Sequence, residues 1–510
     1  MRTAFGLLCL LCLLAVGQFT WAAAPKLDSV YPSGGKQGST VDLTLSGTFD
    51  PWPCDVVFSE KGFSFAPDPE KKGTGKLTIA PDAPLGVVLV RMKNADGVSS
   101  PRFFVVGKTV QQLDREEDKN HVLDGAEIDT AKLPLSLHGT LAANHEIDSF
   151  RLSLEKGETI HGALEGYTLR SLIDPVLHVY DNEGNRLHLF HDSPAHLDPR
   201  LSFVAPAAGC YFIGVTAFAH PPAASVYFRG DKNANYILHL ASSRDQLPVR
   251  LFPAKLGPDT KGETATPGQP VIGTVEPGRP NTFKVAAKKG ERWLVRVESR
   301  SLGYPLDPVL RIRKPDGGEL RLVDDSNKEA DAEYLWSVSA DGDYSIEVGD
   351  RFRDGGPDYR YRLSLVEPEP DFTATLDKSE YLLEREKELE IKVKITRLHG
   401  HKAGLAISIP GLPKGWTVTS PESIPEKGGD VTIKIAATKD SPAYQKPLVV
   451  QVSEKAEGEE KLGKPKAAVF SFRDDNYRGP YAVMEISDIW LTLPPVPKPK
   501  PGKEEKPKDE

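Results

Sequence analysis

The sequence predicts an all-β protein built as tandem β-sandwiches, and three observations carry that prediction. Apolar residues recur at every second position through most of the chain after residue 25. Gly and Pro, 44 and 43 of 510 residues, interrupt those runs at short intervals. One stretch of chain repeats without a gap at an offset of 133 residues. Period two turns one face of each strand toward a core and the other toward water, and frequent turn residues between short strands are what sandwiches need. At 39% hydrophobic the chain can fill several cores, and a soft prior of about 150 residues per domain suggests three or four. The formal charge of −8 is dispersed, without the concentrated basic surface of a nucleic-acid protein. Four Cys are too few for a disulfide scaffold.

The N-terminus is set apart first. Met1-Arg2 precedes a continuous apolar run of 13 residues from Ala4 to Val16, too short to span a membrane. Thr20-Trp21-Ala22 places small residues at −3 and −1 of a cut after Ala22. Residues 1–22 therefore read as a secretory signal peptide, and the mature protein as secreted, periplasmic or cell-surface. Cys9 and Cys12 leave with it, while Cys54 and Cys210 read as two small core residues in different domains. No later apolar run approaches the 18 residues of a membrane helix.

The strands follow. Val41, Leu43 and Leu45 alternate with polar neighbours, as do Leu389, Ile391, Val393 and Ile395, then Val431, Ile433 and Ile435, then Tyr361, Leu363 and Leu365. The best helical stretch is Val110 to Asn120.

The repeat aligns Asp148–Tyr211 with Asn281–Tyr344, and 19 of 64 positions are identical. Lys156-Gly157-Glu158 falls on Lys289-Gly290-Glu291, Asp174-Pro175-Val176-Leu177 on Asp307-Pro308-Val309-Leu310, Asp198 on Asp331, and Gly209 and Tyr211 on Gly342 and Tyr344. Past an eight-residue difference in length, Tyr236, Leu238 and Leu240 fall on Tyr361, Leu363 and Leu365. Lys-Gly-Glu reads as a turn between strands, Gly-x-Tyr as a strand start with an inward aromatic, and the Asp-Pro prolines as strand starts, where a missing N–H is tolerated. This pattern resembles the bacterial pre-peptidase C-terminal domain, a jelly-roll-type sandwich appended to exported peptidases and other secreted proteins. The resemblance implies two copies, at 108–245 and 268–368, with 246–267 as a linker.

The flanks read as further sandwiches. Val30-x-Pro32-x-x-Gly35-x-x-Gly38-x-x-Val41, Ala83-Pro84-Leu85-Gly86 and Phe104-Val105-Val106-Gly107 resemble the IPT/TIG domain, an immunoglobulin-like sandwich, over 25–107. Residues 369–493, with Gly411-Leu412-Pro413-Lys414-Gly415-Trp416 and Trp490, look like another immunoglobulin-like module. Residues 494–510 are almost entirely Pro, Lys, Glu and Asp and read as a disordered tail.

Chemistry is sparse. No Gly-x-Ser-x-Gly, His-Glu-x-x-His, Gly-Lys-Ser/Thr or Gly-x-Gly-x-x-Gly occurs, so no catalytic residue is assigned and no enzyme is expected, although triads are defined by geometry rather than by motif. Glu116-x-Asp118-x-Asn120 and Glu146-x-Asp148 are similar to acidic elements that bind calcium in related collagen-binding modules, so the resemblance implies a Ca²⁺ site there. Asp324-Asp325 with Asp331 forms a second acidic group. Ten of the 12 His lie between residues 121 and 239; His188, His191 and His196 lack a known metal spacing and read as surface or partly packed side chains. Arg229-Gly230-Asp231 reads as a loop turn rather than an adhesion tripeptide. The expected protein is a non-catalytic exported rod of sandwiches that recognises a polysaccharide or a protein at or outside the cell, with no nucleic-acid partner and no membrane span. The alternatives are an accessory or scaffold subunit of an exported peptidase or envelope assembly, and a hydrolase with an unrecognised site in 371–493.

Overall fold

The computed structural model describes residues 23–113, 121–171, 173–193, 197–222, 224, 227–326, 331–421, 424, 426–455, 463, 465–474 and 481–496. The signal-peptide reading, and the tail beyond Val496, lie outside them. The protein is all-β: its described residues hold strands and short 3₁₀ turns but no α-helix. The only helix expected, over Val110 to Asn120, does not form where it is described. Val110–Leu113 is a strand, drawn into parallel pairing with Leu135–Thr140; an open sheet edge overrides a weak helical preference.

Apolar side chains gather into four separate cores, each between facing sheets. The first lies between the sheet Lys26–Tyr31, Thr40–Thr48, Thr74–Ile79, Phe63–Pro67 and the sheet Gly34–Lys36, Arg102–Gly107, Gly86–Asn94, Asp55–Phe58. The last surrounds Ile391, Val393, Ile395, Val431, Ile433 and Ile435, whose period-two spacing buries every second residue of two paired strands.

Between these come the two copies of the repeat, and their strand orders agree. In the first copy one sheet runs Leu135–Thr140, Asn235–Ala241, Thr159–Glu165, Arg200–Val204, and the other Asp148–Leu154, Gly209–Ala219, Ile173–Tyr180, Arg186–His191. The second copy reproduces both, as Val271–Thr274, Arg360–Val366, Arg292–Glu298, Ala332–Ser337 and Asn281–Ala287, Gly342–Asp350, Pro308–Arg313, Glu319–Val323. The first copy adds one parallel edge strand to each sheet, Val110–Leu113 and Ala126–Glu127.

The repeated residues serve the same purposes twice. Gly157 and Gly290 turn with φ of 81° and 93°, and Glu158 and Glu291 each reach back to accept a hydrogen bond from a backbone N–H of that turn, both at 2.9 Å. Tyr211 and Tyr344 point inward and donate to Ala207 O and Ala340 O, both at 2.8 Å. Tyr236 and Tyr361 are fully buried and tie the two sheets together: Tyr236 donates to Asp148 Oδ2 at 2.7 Å, and Asn281 Nδ2 donates to Tyr361 Oη at 2.9 Å. Each ring lies over a glycine on the neighbouring strand. A Cβ at Gly139 would stand 2.2 Å from Tyr236 Oη, and one at Gly273 2.4 Å from Tyr361 Oη.

The units do not simply follow one another as a rod. The hairpin Phe470–Asp474 and Tyr481–Ile486 of the last unit lays Phe472 and Ile486 against Leu89, Phe103 and Val105 of the first unit and Leu169 and Ile237 of the first copy. The segment between the copies is packed as well. Phe252 lies beneath the guanidinium groups of Arg244 and Arg200, at 4.7 and 5.2 Å. Ala254 N donates to Leu302 O at 2.8 Å, and Ala265 joins the second copy's core. Cys54 is a core residue as expected, whereas Cys210 is only half-buried because it sits on the outward face of its strand; both are free thiols.

The tyrosine tether predicts a graded series in urea unfolding of the full chain. Gly139→Ala costs about 1–3 kcal/mol by overpacking a buried ring, and Tyr236→Phe about 1 kcal/mol by removing a hydrogen bond. Asp148→Asn, which copies the second module, costs less than Asp148→Ala. A Gly139→Ala midpoint equal to wild type contradicts this account.

Candidate functional site

The residues singled out in the sequence are mostly engaged in holding the fold. Glu116, Asp118 and Asn120 lie outside the described residues. Glu146 Oε2 accepts from Ala143 N at 2.6 Å, while Asp148 carries the tether to Tyr236. Asp331 is a turn cap rather than a ligand: it accepts from the backbone N–H groups of Ser299, Arg300 and Ser301 at 3.0, 2.8 and 3.2 Å. Its counterpart Asp198 does the same for Gly166, Tyr167 and Thr168 at 2.9, 2.7 and 2.9 Å. Burial pushes the Asp198 carboxyl up to about 6, against the pull of those donors. Asp324 and Asp325 both face Arg351 Nη1, at 3.1 and 3.4 Å. In the Arg229-Gly230-Asp231 turn, Arg229 N bonds Ala217 O and Asp231 N bonds Leu141 O, so the tripeptide is pinned to the sheet.

The histidines divide. His188 is exposed beside Phe190 and Phe203, His191 meets two aspartates, and His196 lies outside the described residues. Four others are buried, His138, His178, His239 and His401, at 0%, 2%, 4% and 4% exposure.

His239 belongs to an arrangement no motif announced. On the outer face of one sheet, Ser136 Oγ stands 2.8 Å from His239 Nδ1, and His239 Nε2 stands 2.7 Å from Glu165 Oε1. Ser, His and an acid in hydrogen-bonded series is the composition of an acyl-transfer relay. Here Ser136 is 1% exposed and Glu165 0%, so an acyl substrate has no approach to the hydroxyl. Thr109 Oγ1 lies 2.7 Å from Ser136 Oγ, and Arg250 forks Glu165 through two nitrogens at 2.5 and 2.6 Å. Burial alone raises a carboxyl, but the Arg250 charge and the His239 contact outweigh it, and the net direction for Glu165 is down. His138, whose Nε2 faces Gln111 Oε1 at 2.5 Å, is pushed down to about 3 by burial, and further by His239. Burial lowers His178 to about 4. The available sequence signal was that strands Leu135–Thr140 and Asn235–Ala241 place Ser and His, not Lys or Glu, at their alternate positions; both strands are buried on both faces.

Among the described residues, one open cleft of about 520 Å³ lies where the first unit, the first copy and the last unit meet, and another of about 480 Å³ lies in the second copy. Lys26, Arg102, Arg170 and Lys378 line the former together with Asp377, Glu380 and the largely buried Phe472, and Lys26 also pairs with Asp28 at 2.8 Å. Arg170 stacks over the Phe472 ring at 5.1 Å. Arg102 Nε donates to Asp28 O at 2.6 Å, and burial lowers its pKa. Glu380 joins the units by accepting from Ser100 Oγ and by facing Arg91 Nη1 at 3.4 Å. Cations on two or more walls are what an extended anionic chain needs.

No family model matches the chain, and no curated protein matches it. Among solved structures, the surface layer protein SbsC, domains 1–6, is 9% identical, with 92% of this chain and 54% of that one covered and a TM-score of 0.16. The chain thus spans about half the length of that structure. The N-terminal four Ig domains of Dscam1 isoform 4.44 are 10% identical, with 92% and 100% covered and a TM-score of 0.19. Isoform 1.9 gives 10%, 88% and 97%, and 0.18. Likenesses at this level assign no function. Among the described residues no helix is long and apolar enough to cross a membrane.

Acid sensitivity follows from the buried histidines. The unfolded chain takes up protons below about pH 6.5, while folded His138 stays neutral down to about 3. Its contribution is therefore present above 6.5 and is lost as the pH falls toward 3, by about 1.4 kcal/mol per unit. Urea midpoints measured from pH 7 to 4.5 should fall, and His138→Gln should flatten the slope; an unchanged slope in that variant refutes the assignment.

Proposed function

We propose that this is a non-catalytic exported binding protein whose three-walled cleft holds an acidic polysaccharide at the cell surface or outside the cell. The cleft carries the reading: Lys26, Arg102, Arg170 and Lys378 converge there from three units, outnumbering Asp377 and Glu380. Direct ion pairs suit a uronate chain better than an uncharged one. The inaccessible Ser136 hydroxyl supports a binding rather than a hydrolytic role. In this reading the first unit is an IPT/TIG-like domain and the repeats are pre-peptidase C-terminal modules, supported by the quoted residues and the common strand order. The signal peptide supplies the route of export.

An array of polygalacturonate, cellulose, chitin and collagen tests this. Binding should favour polygalacturonate, weaken with salt, and drop severalfold in Lys26→Glu/Lys378→Glu, two exposed lysines. Hydrolysis of casein, labelling by a serine-directed probe, or equal binding to cellulose argues against it. Exclusive retention of one envelope protein from native membranes would instead favour a scaffold subunit.

The calcium reading is kept as part of the proposal. Glu116, Asp118 and Asn120, with Glu146 and Asp148, would offer oxygen donors of the kind Ca²⁺ takes. Millimolar Ca²⁺ should raise the melting temperature of the full chain and EGTA reverse it, by binding the folded state alone; no shift in either direction removes calcium.

A further inference from the structure

We infer that the first copy of the repeat carries a zinc site formed by Asp174, His191 and Asp192. The three side chains lie on one end of one sheet. Asp174 is in the central strand Ile173–Tyr180, His191 ends the neighbouring edge strand Arg186–His191, and Asp192 follows it. Their donor atoms all lie within 4.8 Å of one another. His191 Nε2 stands 3.1 Å from Asp174 Oδ1 and 3.4 Å from Asp192 Oδ1. With metal–ligand bonds of about 2.0–2.2 Å, adjacent donors stand about 2.9 Å apart in an octahedral shell and about 3.3–3.5 Å in a tetrahedral one, so the His191 nitrogen already stands at such a separation from each carboxylate.

In the second copy a cationic side chain occupies the corresponding place. The aligned residues are Asp307, Asp324 and Asp325. There the Arg351 guanidinium stands between the last two, at 3.1 and 3.4 Å, and its backbone N–H bonds Asp307 O at 2.9 Å. Register places Phe218 of the first copy where Arg351 stands, since Ala217 and Asp350 occupy equivalent rungs opposite Pro175 and Pro308. Phe218 carries no charge; its ring lies 5.7 Å from the His191 imidazole. The first copy has thus exchanged a guanidinium for a phenyl ring and an aspartate for an imidazole. That exchange turns an internal ion-pair site into a nitrogen-and-carboxylate donor set. Imidazole selects a borderline ion such as Zn²⁺ over Ca²⁺, which takes oxygen. The His191 side chain is 30% exposed and the aspartates 10% and 9%, so an ion enters from the imidazole side and water completes its shell.

The test uses the full chain stripped with EDTA, with Co²⁺ as the probe and its visible ligand-field absorption as the readout. A band saturating at one ion per chain is expected, displaced by Zn²⁺ but not by Ca²⁺. It should be lost in His191→Gln and at least about tenfold weaker in Asp192→Asn, and unchanged in His188→Gln, an exposed histidine nearby. Circular dichroism of each variant in EDTA confirms that it is folded. Absence of a saturable band, a band that survives both ligand substitutions, or displacement by Ca²⁺ as effectively as by Zn²⁺ overturns the site, leaving His191 as an ordinary ion-pair partner. None of these outcomes bears on polysaccharide binding, which is a separate reading.

Discussion

A carboxylate out of reach of water is the strongest constraint in this molecule. Glu165 is fully buried on the outer face of a sheet, and an ion in that position is tolerated only with a countercharge and filled hydrogen-bond sites. Arg250 supplies the countercharge and His239 the second contact. Because Arg250 belongs to the segment that leaves the first copy, the carboxylate holds that segment down, and Phe252 and Ala254 then carry the chain directly onto the second copy. The second copy has Glu298 at the same position, forked by Arg362 at 2.7 and 2.8 Å. There the pair is nearer to solvent and joins two neighbouring strands of the second copy's own sheet.

Duplication kept the frame and released the surface. The tether from the closing tyrosine to the facing sheet survives with Asp148 in one copy and Asn281 in the other, because either side chain provides a hydrogen-bond partner at that spot. Turn caps at Asp198 and Asp331 survive for the same reason: three backbone N–H groups converge on each. At one sheet end the copies differ in charge: Asp324, Asp325 and Arg351 in the second stand where the first has His191, Asp192 and Phe218. A fold under this kind of constraint changes what it binds without changing how it is built.

The return of the last unit onto the first makes the cleft. Phe103 and Phe472 meet edge to face at 5.4 Å, and the small apolar cluster around them is shared by three units. A cleft walled by separate sandwiches brings together cations from distant parts of the chain, Lys26 and Lys378 among them.

Period-two spacing, turn residues and the 133-residue offset were sufficient to read the all-β class and the duplication, because strand burial and turn geometry are local properties of consecutive residues. The Lys-Gly-Glu turns and the Gly-x-Tyr strand starts were legible for the same reason. The edge strand at Val110–Leu113 was not, since a partner strand decided it. Nor were the buried Ser136, His239 and Glu165, which come from three strands far apart in the chain and are polar residues that local reasoning turns toward water. The converging of Asp174 with His191 and Asp192, and of Lys26 with Lys378, depends on strand order and on the packing of units. Those are set by long-range burial of apolar faces and by the need to neutralise buried charge, and neither leaves a trace in the spacing of neighbouring residues.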